Sequence, residues 1–200
     1  MSTAQATTPA GAIGMRPDIA VDTVTRNART ADLPQLLDMV CLLARHHHDT
    51  PELTLEQLRA LIFGPDKWIS VIVAEQIPGT GPGTATASNA GTPPVSGACV
   101  DTGTGTSLAG YAALCPRIQL QLGLRGIDLH HLFVRDGMRG QGVGSHLVKA
   151  AEKMARARGC SYMTVSTHPE NITAQHIYLA QGFTRLPGAG NRFQRSLDLD

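Results

Sequence analysis

The chain has 200 residues, with 17 Lys and Arg against 16 Asp and Glu, for a formal net charge of +1. That balance argues against a general nucleic-acid binder, which needs a clear basic excess to meet a phosphate backbone. Apolar residues make up 42%, as in ordinary globular chains, and no apolar run approaches the roughly 18 residues of a bilayer-spanning helix.

Residues 1–18 (MSTAQATTPAGAIGMRPD) have neither a basic start nor a continuous apolar stretch, so they do not read as a secretory signal. Small and polar, they bury too little to offset their ordering entropy and are expected to form a mobile tail. Residues 19–26 (IAVDTVTR) alternate like a half-buried strand. Asp32 opens a helix to about His46, with Leu33, Leu36, Leu37, Val40 and Leu43 on one stripe. Thr54 stands three residues before Gln57, the spacing of a capping box, and predicts a helix over 55–63. Residues 68–74 (WISVIVA) form an apolar run of the buried-strand type.

Residues 78–107 interrupt the pattern. Of these 30 residues, 25 are Gly, Pro, Ser, Thr or Ala, so the segment reads as a low-complexity insertion. Residues 108–115 (LAGYAALC) then pair back as a hairpin strand, and 116–127 read as a long loop. A strand over 128–134 (DLHHLFV), a helix over 143–158, a strand over 161–166 and a helix over 171–181 follow. Two short strands, 183–186 and 192–199, close the pattern. The fold class is mixed α/β, of α+β type, with one β-α-β crossover. Residues 19–200 form a single domain carrying the insertion, and roughly 150 residues outside the two low-complexity segments suffice for one core.

Four cysteines, Cys41, Cys99, Cys115 and Cys160, are widely spaced and form no CxxC pair. This is neither a zinc pattern nor a disulfide framework, and it fits reduced, mostly buried thiols in a cytoplasmic protein. The run His46-His47-His48 ends a helix. Consecutive helical residues splay apart, so no metal site is expected there.

The chemistry lies at two strand-to-helix turns. Arg139-Gly140-Gln141-Gly142-Val143-Gly144-Ser145 follows one strand and opens a helix. Residues without bulky side chains let backbone N–H groups converge on an anion, and a helix N-terminus adds a positive dipole end. The spacing fits neither GxGxxG nor a P-loop, since no Gly-Lys-Ser/Thr follows. The second turn, His168-Pro169-Glu170-Asn171, starts a helix carrying Ala174 and Tyr178 on the face of Asn171. An N-cap Asn and a core Tyr are each common for purely structural reasons.

Taken in order, the Arg139-x-x-Gly142-x-Gly144 loop after LHHLFV, then Asn171, Tyr178 and the ending Tyr178-Leu-Ala-Gln-Gly-Phe183, resemble the GCN5-related N-acetyltransferase (GNAT) superfamily. The resemblance implies a mostly antiparallel sheet splayed into a V between strands 128–134 and 161–166. Acetyl-CoA, as cosubstrate, is implied to lie in that V. Backbone N–H groups of Gln141, Gly142, Val143, Gly144 and Ser145 would hold its pyrophosphate. Arg139 and Gly140 would shape the loop, and Leu132, Phe133 and Val134 would pair with the pantetheine arm. Asn171 would bond an amide of the cofactor, beside Ala174 and Tyr178.

The implied reaction is direct acetyl transfer to a primary amine of a small molecule. An alkyl amine has a pKa near about 10 and must lose a proton before it attacks. Tyr178 occupies the family's usual general-acid position, and His130 or His131 can supply the base. Adjacent strand residues face opposite ways, so only one imidazole faces the cleft unless a bulge intervenes. Segments 54–64 and 116–127 are weakly similar to the diamine and polyamine acetyltransferase branch. His130 and His131 stand where that branch has an acidic pair, and the acids near the cleft are Asp49, Glu52, Asp128 and Glu170. Alternatives are a protein or peptide amine acetyltransferase, a non-catalytic acyl-CoA-binding module, or an interaction protein using residues 78–107 as its arm. No membrane partner is expected, and a homodimer is among the states that members of the family adopt.

Overall fold

The computed structural model describes residues 22–77 and 106–186. The tail 1–18, nearly all of the insertion 78–107 and the strand expected at 192–199 lie outside the described residues. The elements are β1 (Thr23–Asn27), α1 (Leu33–His46), α2 (Leu55–Phe63), β2 (Ser70–Gln76), β3 (Leu108–Gln119), β4 (Leu124–Val134), α3 (Val143–Ala157), β5 (Tyr162–Val165) and α4 (Ile172–Ala180). One five-stranded sheet runs β1-β2-β3-β4-β5. Its first four strands are antiparallel, and β5 is parallel to β4 across the α3 crossover.

Each sheet face has its own core. On one face, α3 buries Val143, Leu147, Val148 and Ala151 against Ile72, Ala112, Leu114, Ile127 and Leu129. On the other, α1 and α2 bury Leu36, Met39, Leu58 and Ile62 against Val71, Val73, Tyr111, Ala113 and Phe133. The expected α1 stripe is therefore centred on Leu33, Leu36, Met39 and Leu43, with Leu37 and Val40 only partly buried. Thr54 and Gln57 cap α2 reciprocally: Thr54 Oγ1 accepts from Gln57 N–H at 3.2 Å, and Gln57 Oε1 from Thr54 N–H at 2.8 Å.

A charge cluster fastens β1 to the start of α1. The Arg26 guanidinium grips both Asp32 carboxylate oxygens, at 2.7 and 2.9 Å, and also pairs with Glu75 on β2. Burial alone would raise the Asp32 carboxyl, but Arg26 and the Arg29 N–H outweigh it and hold it below its ordinary value of 3.8. A carboxyl depressed in the folded state stabilises fully above its unfolded pKa, and that stabilisation is lost as pH falls through the folded value. Asp32→Ala, which leaves the half-buried Arg26 short of a partner, is expected to cost about 3 kcal/mol in a urea titration at pH 7. The difference from the unsubstituted chain should shrink below pH 4.

Two sequence expectations change. Residues 116–127 are not a loop: the β3–β4 ladder continues to Gln119 opposite Leu124, and only Leu120–Leu122 form a single 3-10 turn. This arm extends beyond the packed layers. Ile118, Leu120 and Leu122 are 61–79% exposed, so alternation between core and solvent could not announce it. Residues 183–186 form no strand; Phe183 N–H instead closes the end of α4 onto Tyr178 O at 3.0 Å. Cys41, Cys115 and Cys160 are partly rather than fully buried, and Cys99 lies outside the described residues.

Candidate active site

The site begins where β4 and β5 part. Their ladder runs from Gly126 opposite Tyr162 to Leu129 opposite Val165 and stops, while β4 continues to Val134. The expected V is therefore present, with its apex at Leu129 and Val165. The β3–β4 register also shifts there: Leu114 faces Leu129 but Ala113 faces His131, leaving His130 as an extra residue. A bulge bends its strand and increases local twist, which accounts for β4 leaving β5 at this point.

The bulge also decides where the imidazoles go. Leu129 packs on the α3 side, as do Leu132 and Val134. Phe133 packs on the α1–α2 side, together with the partners of His131, Tyr111 and Ala113. One extra residue thus places His130 and His131 on the same face, where their rings stack at 4.5 Å and 14°. His130 is exposed and His131 half-buried. Burial first, and then the neighbouring His130 and His47, push the His131 pKa down to about 4. Its Nδ1 lies 3.1 Å from the Tyr111 hydroxyl. A buried phenol must donate its proton, and Nδ1 is the acceptor in reach, which puts the proton of neutral His131 on Nε2. Tyr111 carries no motif and reads from sequence as one apolar position of a strand.

The open edge of β4 offers backbone groups. Arg135 N–H bonds Ala109 O at 2.9 Å, so alternate residues 133 and 135 turn toward β3. Leu132 and Val134 therefore turn toward the opening. Of the three expected edge residues, Phe133 presents its backbone to β3 instead. The Val134 carbonyl accepts from Arg139 Nε at 3.0 Å, and Arg139 also pairs with Asp136 at 2.8 Å and lies over the Phe133 ring.

Beyond β4 the glycine loop turns into α3. Gly140 and Gly142 adopt φ of +76° and +79°, a region that penalises a Cβ. A Cβ at either would meet nothing within 4 Å, so the space outside the loop is open. Gly142 caps α3, whose first intrahelical bond is His146 N–H to Gly142 O at 3.0 Å. The N–H groups of Val143, Gly144 and Ser145 are thus free of helical acceptors, as an anion requires. Gln141 is held by Gly137 O at 2.9 Å, and Gln181 at the end of α4 donates to Ser145 Oγ at 3.2 Å. That last bond ties the loop to α4, and no sequence motif marked it.

Helix α4 carries the remaining residues. Asn171 caps it, its Oδ1 accepting from Ala174 N–H at 3.0 Å, which leaves the Nδ2 hydrogens for another partner. Tyr178 packs against the α3-side core, edge-on to Phe183 at 5.6 Å. Burial raises its phenol above the ordinary value of 10.0. Tyr178 and the His130–His131 pair therefore stand on opposite faces of β4. Among the described residues no group of three or more His, Cys, Asp or Glu could hold a metal ion, and no helix is long and apolar enough to cross a membrane.

A family model described as the acetyltransferase (GNAT) family matches residues 73–183. The chain belongs to that family. Curated relatives include the thialysine N-epsilon-acetyltransferase of Sus scrofa, 27% identical over 159 residues, covering 78% of this chain and 81% of the relative. An L-methionine sulfoximine/L-methionine sulfone acetyltransferase of Pseudomonas aeruginosa is 35% identical over 80 residues, 38% of this chain. That match spans just under half of the relative, 46%. Among solved structures, the aminoglycoside acetyltransferase AAC(6')-Iy, in complex with the bisubstrate analogue CoA-S-monomethyl-acetylneamine, superposes with a TM-score of 0.62. It is 17% identical, covering 88% of this chain and 99% of that one. At that identity the likeness speaks for the fold.

Proposed function

We propose that the protein is an acetyl-CoA-dependent N-acetyltransferase acting directly on a primary amine of a small molecule. The observation that carries the reading is the opening between β4 and β5. It is bordered by a stretch of β4 that no strand pairs with on this side, a glycine loop with free N–H groups, and Tyr178. Val143, Gly144 and Ser145 N–H groups would hold the pyrophosphate, and Leu132 and Val134 the pantetheine arm. Asn171 Nδ2 would donate to an amide carbonyl. When bound, acetyl-CoA supplies the thioester carbonyl that an amine attacks.

The chain's own groups then divide the proton work. His130, exposed at the bulge, takes the proton of the incoming ammonium. Neutral His131, with its Nδ1 occupied by Tyr111, offers an N–H rather than a lone pair. It positions its stacked neighbour. Tyr178 gives its proton to the departing sulfur, and its raised pKa keeps that proton in place at neutral pH. The nitrogen loses two protons on its way from ammonium to amide: His130 takes the first, and the second, lost from the tetrahedral adduct, replaces through solvent the one that Tyr178 gives to sulfur. The N–H groups on the β4 edge face the opening and can stabilise negative charge on a carbonyl oxygen there.

The test is thiol release from acetyl-CoA across a panel of amines, paired with the melting temperature. Acetyl-CoA at 100 times its Kd should stabilise the fold by about 2.7 kcal/mol. Thiol release that saturates with one class of amine supports the reading. Stabilisation with silence across small amines and peptides would make the protein a binder. Absence of both would overturn the cofactor assignment.

A further inference from the structure

A cavity of about 310 Å³ lies between α1, α2 and the sheet, and the two stacked imidazoles line it. Its walls are apolar: Leu36, Leu58, Ile62, Val71 and Ala113 among them. Among the described lining residues there is no Asp, Glu, Lys or Arg. The polar side chains there are Tyr111, Cys115, His130, His131 and the indole of Trp68, and Tyr111 and His131 satisfy each other. Trp68 is 70% exposed and offers its ring beside this apolar space. The acids expected to greet a polycation, Asp49, Glu52, Asp128 and Glu170, do not line the cavity. Asp128 is already engaged by Arg117 at 3.3 Å and by Thr164.

We infer that the acceptor is an alkyl- or arylalkylamine with no second charge, its apolar part filling this cavity and its one amine meeting the imidazoles. The inference rests on the acetyltransferase reading and narrows its substrate. A second ammonium, or the carboxylate of an amino acid, would be desolvated here without a counter-ion. The volume is at the lower end for small-molecule sites and suits a compact body. An acyl chain on the donor is the other apolar occupant to weigh. It has no use for a proton acceptor, whereas an amine requires one, and His130 lines this cavity.

Trp68 is the chain's single tryptophan, so its fluorescence reports on this site alone. With the 200-residue chain, affinity for propylamine through hexylamine should rise about fourfold per methylene, equivalent to about 0.8 kcal/mol each. 1,6-Diaminohexane, with the same carbon chain, should bind at least about tenfold more weakly than hexylamine. Ala113→Leu, which narrows the cavity floor, should flatten the chain-length series while the acetyl-CoA shift in melting temperature persists. A flat series in the unsubstituted protein, or a diamine that binds as well as the monoamine, overturns the inference. So does a series in which lengthening the acyl group of the donor, and not the amine, drives affinity. Thiol release with diamines or aminoglycosides but not with monoamines removes this acceptor class and leaves the acetyltransferase standing. Steep monoamine binding with neither thiol release nor an acetyl-CoA shift removes the acetyltransferase reading instead.

Discussion

Tyr178→Phe is expected to lower kcat by about 10²- to 10³-fold, the usual range for loss of a positioned proton donor. The substitution removes one oxygen and leaves the ring, so the edge-on contact with Phe183 and the packing on the α3-side core survive. Melting temperature and the acetyl-CoA dissociation constant should therefore stay near their original values. Rapid-quench or steady-state kinetics at saturating acetyl-CoA measure the effect directly. The pH profile gives a second reading. Because burial raises the phenol above 10.0, Tyr178 should contribute no loss of activity on the basic side below that pH. A Phe variant within about threefold of the parent would assign the departing sulfur's proton to water instead.

The second large effect is expected at His130. His130→Gln should lower kcat/KM by about 10²-fold, whereas His131→Gln should cost about tenfold or less. The asymmetry follows from the bond between Tyr111 and His131, which takes up the nitrogen that a base would use. The pH dependence gives a second check on His131. With its pKa pushed down to about 4, His131 stays neutral across pH 5–9. His131→Gln should therefore leave the pH profile of kcat/KM unchanged across that range. The depressed His131 pKa has a separate consequence for stability. The unfolded state binds the proton more tightly, so this contribution is complete above about pH 6.5 and is lost as pH falls toward 4. Equal losses in the two variants would reject the division of roles.

Much of this arrangement is legible in the sequence because local rules and global fold agree. The Thr54–Gln57 cap, the glycine loop opening α3 and the Asn171 cap of α4 are short-range patterns, and each stands where its spacing predicts. The parting of the strands is also foreseeable, but its cause is not. A bulge depends on how β4 pairs with β3, and one strand read alone carries no trace of its partner's register. The role of Tyr111 is hidden for the same reason. It lies 20 residues from His131 in the chain and meets it only across the ladder. The cavity is a property of how α1 and α2 sit over the sheet. Val40 reads as one more residue of an apolar stripe until the structure puts it beside an open space. Residues 116–127 read as a loop because strands projecting past the core need no apolar alternation.

The bulge in β4 leaves both cores undisturbed. Without residue 130, Leu129 and His131 would alternate across the sheet as they now do with their neighbours, and Leu132 through Val134 would keep their present faces. The strand is thus one residue longer than its pairing requires, and the surplus position is the one that carries the exposed imidazole. An imidazole is thus presented at a position that the ladder with β3 leaves unused. The core residues on either side of it keep their alternation.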